Sequence, residues 1–226
     1  MKYYLLRIID WIEVWGLLIP LTILLIRKNI PEIYKAVKLY LWLVLPFYLL
    51  SDIIFDYKIK YHFPNWLQSN NYLYNSISII RLICFSIFFI QLKQPFLKNL
   101  KKIVPIFFIL FVIINFTFYE YFFNYYFLSN RLLATESGIL LFYCLQYYFF
   151  IFLKDDQNVH LNSLPSFWIV TGLGIYIVIS FPIYIFYKQL VLQSKTFGID
   201  IWQIQNLAYL LFSIFIAIGF YKCKND

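Results

Sequence analysis

The chain has 226 residues, of which 62% are hydrophobic, 23% aromatic and 13% charged, and its formal net charge is +8. Charged residues make up about 25% of an ordinary soluble domain, so this composition excludes a water-soluble fold. The basic residues are scattered through short connectors rather than gathered in one patch, which argues against nucleic acid as a partner and for the lipid bilayer.

A bilayer core of about 30 Å is crossed by about 20 apolar residues in a helix, and it admits only segments that satisfy their own backbone hydrogen bonds. Seven stretches meet that condition, at 9–26, 36–56, 71–91, 103–119, 133–153, 166–187 and 203–221. They predict an all-α, polytopic seven-helix bundle forming a single transmembrane domain over 1–226. The first stretch follows a basic head, but Asp10 and Glu13 interrupt it and no A-x-A site follows, so it reads as a retained helix and not a cleaved signal. Turn or interface chemistry marks the breaks: Arg27-Lys28-Asn29 with Pro31, Phe63-Pro64-Asn65, Lys93-Gln94-Pro95, Ser129-Asn130-Arg131, Lys154-Asp155-Asp156, and Lys195 with Gly198. After the fourth span, the aromatic run from Tyr119 to Phe127 reads as an interfacial helix or belt.

Lys and Arg in the connectors set the orientation. Connectors one, three and five and the C-terminus carry Arg27, Lys28, Lys35, Lys38, Lys93, Lys98, Lys101, Lys102, Lys154, Lys222 and Lys224. The opposite side carries Lys2, Arg7, Lys58, Lys60, Arg131, Lys188 and Lys195. Eleven against seven predicts the N-terminus outside and the C-terminus in the cytoplasm.

Ionisable groups inside a span cost at least about 2.5 to 3.5 kcal/mol at the bilayer centre, so each needs a partner or a wet cavity. Arg81 lies near the middle of span three, on a stripe with Asn71, Tyr74, Asn75 and Ser78 whose spacings put them on one helical face. Glu136 lies about one turn inside span five, followed on its face by Tyr143, Gln146 and Tyr147, and is a possible counter-ion for Arg81. The two differ in predicted depth by six residues, about 9 Å, a gap a long guanidinium side chain can largely close. Span two ends with Asp52 and Asp56, and span seven begins with Gln203 and Asn206. Asp52, Asn75, Arg81, Glu136 and Asn206 thus sketch a polar ligand-binding pocket open to the outside. The competing reading makes Arg81 and Glu136 a structural pair between helices and leaves the others at the wet ends of their spans.

The remaining polar residues suggest less. Cys84 and Cys144 read as small apolar packers, and Cys223 as a bystander thiol or an acylation site. His62 and His160 fall in opposite connectors and cannot share a metal, and nothing in the sequence calls for a cofactor. Pro20, Pro46, Pro105 and Pro182 lie in or near spans, where they kink helices. Trp11, Trp15, Trp66, Trp168 and Trp202 suit interfacial belts, and Trp42 reads as packed or lipid-facing. No H-E-x-x-H, G-x-S-x-G or P-loop is present, so no catalytic residue is assigned; a lipid-modifying enzyme would have only Glu136 or Asp52 as its acid or base. A retinal protein needs a lysine inside the last span, and Asn206 to Tyr221 contains none.

Four stretches, NYLYNSISIIR from Asn71, ESGILLFYCLQYY from Glu136, PSFWIVTGLGIY from Pro165 and IWQIQNLAYLLFS from Ile201, resemble small seven-span proteins of Bacteroidota-type bacteria. The likeness covers about a third of the chain and centres on Pro165, Phe167, Trp168, Ile169 and Gly172. That group generally lacks an assigned activity, so the resemblance implies a bacterial inner membrane and no mechanism. Two functional classes follow. One is a non-enzymatic sensory, regulatory or accessory subunit working with another membrane or cytoplasmic signalling protein; the other is a transporter or channel-like subunit, for which no inverted repeat is visible.

Overall fold

A computed structural model describes residues 9–27, 29–57, 69–94, 97–124, 126–153 and 161–223. The described residues form an all-helical bundle of seven main helices: α1 (Ile12–Ile26), α2 (Lys35–Tyr57), α3 (Asn71–Gln91), α4 (Lys98–Ile114), α5 (Asn130–Leu153), α6 (Pro165–Gln193) and α7 (Lys195–Tyr221). Six of them, with α4 taken through its π-helical end to Tyr119, are long and apolar enough to cross a membrane. Several predicted features lie outside the described residues: Lys2, Arg7, Lys28, Lys58, Lys60, Lys154 and Lys224 of the charge count, the breaks at Phe63-Pro64-Asn65 and Asp155-Asp156, His62, His160 and Trp66.

The first predicted span, 9–26, is helical over Ile12–Ile26, with a turn at Trp11 and two further helical residues, Ile9 and Asp10, before it; its 15-residue stretch, about 22 Å long, is shorter than the other spans. The sixth connector, predicted over 188–202, is reduced to Ser194. Lys188, Lys195 and Gly198 all lie within helices. Ser194 is extended, its amide bonds to the Leu190 carbonyl at 3.0 Å, and its Oγ accepts from the Phe197 amide at 3.4 Å, so one residue closes α6 and caps α7. Hydropathy marks apolar stretches, whereas both helices continue through the polar residues on either side of Ser194.

Contacts between helices run α1 to α2, α2 to α3, α3 to α5, α5 to α6, α6 to α7 and α7 back to α1. This closed ring surrounds a core dense in aromatic side chains, including Tyr40, Phe85, Phe88, Tyr176 and Phe212. Tyr176 and Phe212 stack at 5.6 Å, and the Tyr40 and Tyr209 hydroxyls meet at 3.1 Å to join α2 to α7. Helix α4 stands outside the ring and packs chiefly on α3. Its Ile106 and Phe107 project outward, as do Trp15 of α1 and Trp42 of α2, which suits a protein whose solvent is lipid.

Glycine sets the closest helix approach. A Cβ on Gly172 of α6 would lie 2.4 Å from the Cβ of Phe215, and one on Gly219 of α7 would lie 2.6 Å from Cγ1 of Ile169. Small residues at such positions let membrane helices meet backbone to backbone.

Pro20, Pro46, Pro105 and Pro182 all fall inside helices. After α4 the chain makes a π-helical turn over Asn115–Tyr119 and then leaves helix, so the aromatic run that follows is no interfacial helix in its described residues. It is held instead by polar bonds, with the Ser129 hydroxyl donating to the Glu120 carboxylate and Asn115 Nδ2 donating to the same carboxylate at 3.1 Å.

Candidate functional site

The face of α3 that carries Asn75, Ser78 and Arg81 turns inward, and all three side chains are buried. Arg81 Nε donates to Glu136 Oε1 at 2.5 Å and Nη2 donates to Oε2 at 2.8 Å, a two-point guanidinium–carboxylate pair between α3 and α5. Ser78 Oγ donates to Glu136 Oε2 at 2.6 Å. The third guanidinium nitrogen, Nη1, donates to the Tyr176 hydroxyl at 3.0 Å. That hydroxyl meets Tyr184 OH at 3.0 Å, which in turn accepts from Gln205 Nε2 at 2.7 Å. One polar chain therefore ties α3, α5, α6 and α7 together in the interior. Both charges are matched and hydrogen-bonded, the condition under which an ion pair can sit in a low-dielectric core.

A second polar region lies at one end of the bundle, where the start of α1, the end of α2, the start of α3, the end of α6 and the start of α7 converge. They enclose an open cavity of about 420 Å³. Three carboxylates line it: Asp10 ahead of α1, and Asp52 and Asp56, one turn apart on α2. Its aromatic walls include Trp11, Tyr74 and Trp202. Tyr74 and Trp202 meet edge to face at 5.1 Å, and Trp11 Nε1 donates to Asp56 Oδ2 at 3.3 Å. Asn206 Nδ2 reaches the Ile9 carbonyl at 3.4 Å, while its Oδ1 is buried without a hydrogen-bond partner, as is Oδ2 of Asp52. No Lys or Arg is among the described residues that line the cavity.

The two regions are adjacent but separate. Tyr74 and Trp202 line the cavity on one side and, on the other, a void of about 10 Å³ above Arg81, Tyr176 and Gln205, about the room of one water. Below the cavity, Tyr74 OH donates to Glu13 Oε2 at 2.8 Å, which anchors the floor to α1.

The sequence-derived set of five thus divides three ways and does not form a single pocket. Arg81 and Glu136 are the interior pair. Asp52 and Asn206 line the cavity. Asn75 joins neither: its Nδ2 donates to the Phe122 carbonyl at 3.1 Å and fastens the chain after α4. Tyr143, Gln146 and Tyr147 are buried as their shared face with Glu136 implies, and the Tyr143 hydroxyl donates to the Lys101 carbonyl at 3.2 Å. Lys101, placed by sequence in a cytoplasmic connector, is buried and donates to Gln94 Oε1 at 2.8 Å. Cys84 and Cys144 are buried free thiols, and Cys223 is buried with its thiol against the Gly219 carbonyl at 3.6 Å.

Sequence reasoning passed over Asp10 and Glu13 as interruptions of an apolar run and read Trp11 and Trp202 only as belt residues. The missed signal was the acids themselves, since a carboxylate in the first turns of a predicted span needs a partner as much as Arg81 does. Comparison of the chain with protein-family models, with curated proteins and with solved structures finds no match.

Proposed function

We propose that this chain is a multi-pass membrane protein that holds a small polar ligand in the cavity between the ends of α1, α2, α3, α6 and α7 and reports its occupancy to a partner, as a sensory or regulatory subunit. The observation that carries this reading is the closed floor beneath the cavity. The Tyr74–Glu13 bond, the Arg81–Glu136 pair and the packed rings of Phe85, Tyr176 and Phe212 fill the bundle below it, which is the form of a receptor site and not of a pore. All the helices that wall the cavity belong to the ring, so a ligand that draws them together has a direct route to the far end. Arg81 and Glu136 serve in this reading as the interior clamp of the ring.

The cavity faces the outside in the orientation we favour, with the C-terminus in the cytoplasm of a bacterial inner membrane. The Lys and Arg excess at the opposite end of the bundle supports it.

Two measurements test the proposal. Asp200 is exposed near the start of α7, and D200C should react with a membrane-impermeant maleimide on intact cells. Reaction only after permeabilisation would reverse the orientation. For binding, the purified full chain is titrated with a panel of cationic, anionic and neutral solutes while tryptophan fluorescence is followed. Saturable quenching that W202F reduces, without uptake of the same solute into proteoliposomes, is the expected result. Saturable uptake would make the protein a transporter, and no quenching by any solute would remove the binding site.

A further inference from the structure

The ligand class follows from the cavity's lining. We infer that the cavity binds an organic ammonium group, held between the Asp10, Asp52 and Asp56 carboxylates and the rings of Trp11, Tyr74 and Trp202. The inference rests on the binding reading above and deepens it.

Three acids line this partly enclosed space, and none of its described lining residues is cationic. Oδ2 of Asp52, on a side chain 8% exposed, has no hydrogen-bond partner. Asn206 supplies an independent observation. It is 1% exposed, lines the cavity, and its Oδ1 is likewise unpartnered. Two unsatisfied acceptors at one cavity call for a donor. An ammonium group carries up to three donors and no acceptor, and matches them in sign and number.

The walls distinguish an organic cation from a metal ion. A metal site brings oxygen or nitrogen ligands to within about 2.0 to 2.6 Å of one point. Among the described residues no group of three or more His, Cys, Asp or Glu is close enough to hold one. Aromatic faces instead attract cations through their quadrupoles, and rings combined with a carboxylate are the usual means of holding an alkylammonium group. A space of about 420 Å³ also far exceeds a bare ion and suits a small molecule with an apolar body. The same ammonium chemistry occurs on free amines and on the phosphatidylethanolamine headgroup, and either source fits an opening near the membrane surface.

The test uses the full chain in phosphatidylglycerol nanodiscs with three probes: phenethylamine, its neutral analogue 2-phenylethanol, and calcium chloride. Phenethylamine should bind saturably and raise the melting temperature, D52N should weaken it at least tenfold, and W202L should weaken it severalfold. Should D52N not yield folded protein, D10N replaces it with the same expectation. Nanodiscs containing phosphatidylethanolamine identify the lipid as the source if they raise the melting temperature in a D52N-sensitive way and compete with phenethylamine. Equal binding of 2-phenylethanol, tighter binding of calcium, or phenethylamine binding indifferent to D52N and D10N would overturn the ammonium assignment. If a neutral or anionic solute from the wider panel binds in a W202F-sensitive way, the binding reading survives without it. If nothing binds, both fall.

Discussion

The guanidinium of Arg81 and the carboxylate of Glu136 meet at two points, although their positions along the sequence place them at different depths. Helix α5 begins at Asn130, three residues before its predicted start, which carries Glu136 further from the helix end. Counted from the starts of α3 and α5, the offset is four residues, about 6 Å, within reach of an arginine side chain.

Removing either partner strands a buried charge. R81L or E136L is expected to destabilise the protein by about 3 to 5 kcal/mol, and the double substitution R81L/E136L by less than the sum of the two. Thermal unfolding of the four proteins in one detergent gives the coupling directly. Additive losses would mean that the pair does not act as a unit.

Gly172 and Gly219 are expected to tolerate no side chain. G172A drives a methyl group to within 2.4 Å of Phe215 Cβ and 3.3 Å of the Phe212 carbonyl, and G219A meets Ile169 and the Pro165 carbonyl. Overpacking of this kind costs about 1 to 3 kcal/mol. Gly16 is the control, because its nearest neighbours would lie 3.5 Å away and G16A should unfold close to wild type.

Tyr74 is expected to matter through its hydroxyl. Y74F leaves the buried Glu13 carboxylate without that donor, at a cost of about 1 to 3 kcal/mol. E13Q keeps an acceptor for the hydroxyl and should be milder than E13L. Equal melting temperatures for E13Q and E13L would show that the bond contributes nothing.

Cys223 lies just past α7, close to the end of α1, where Arg27 Nη1 donates to its carbonyl at 3.1 Å. Burial pushes its thiol up from the ordinary range, against the opposing pull of Arg27 and Lys38. With the thiol both buried and protonated at neutral pH, maleimide should label Cys223 slowly in the folded protein and rapidly once it is unfolded. Quick labelling of the native chain, read by mass spectrometry, would restore acylation as a use for this residue.

How far the sequence was readable depends on which forces it records. Span three was legible to the residue because its apolar run and the polar stripe ending at Arg81 both report burial in lipid. The Arg81–Glu136 pairing was legible for the same reason, as two costly groups in one membrane must be matched. The length of α7 was not, because Lys195, Gly198 and Asp200 look like a connector and are made helical by the Ser194 cap and the packing of α6 on α7. The cavity was legible only in part: Asp52, Asp56, Gln203 and Asn206 share one end of the bundle as their span positions imply, whereas Asp10, Trp11 and Trp202 join them from segments far apart in sequence. Asp10 and Asn206 share it only because the ring closes between α1 and α7.

Helices α6 and α7 have 29 and 27 residues, about 43 and 40 Å, against about 30 Å of hydrocarbon. A pair of that length fits such a layer only by tilting or by projecting from it. With Ser194 the single non-helical residue between them, the two helices form a stiff double column, and Tyr187, Val191 and Ile199 set one wall of the cavity on it.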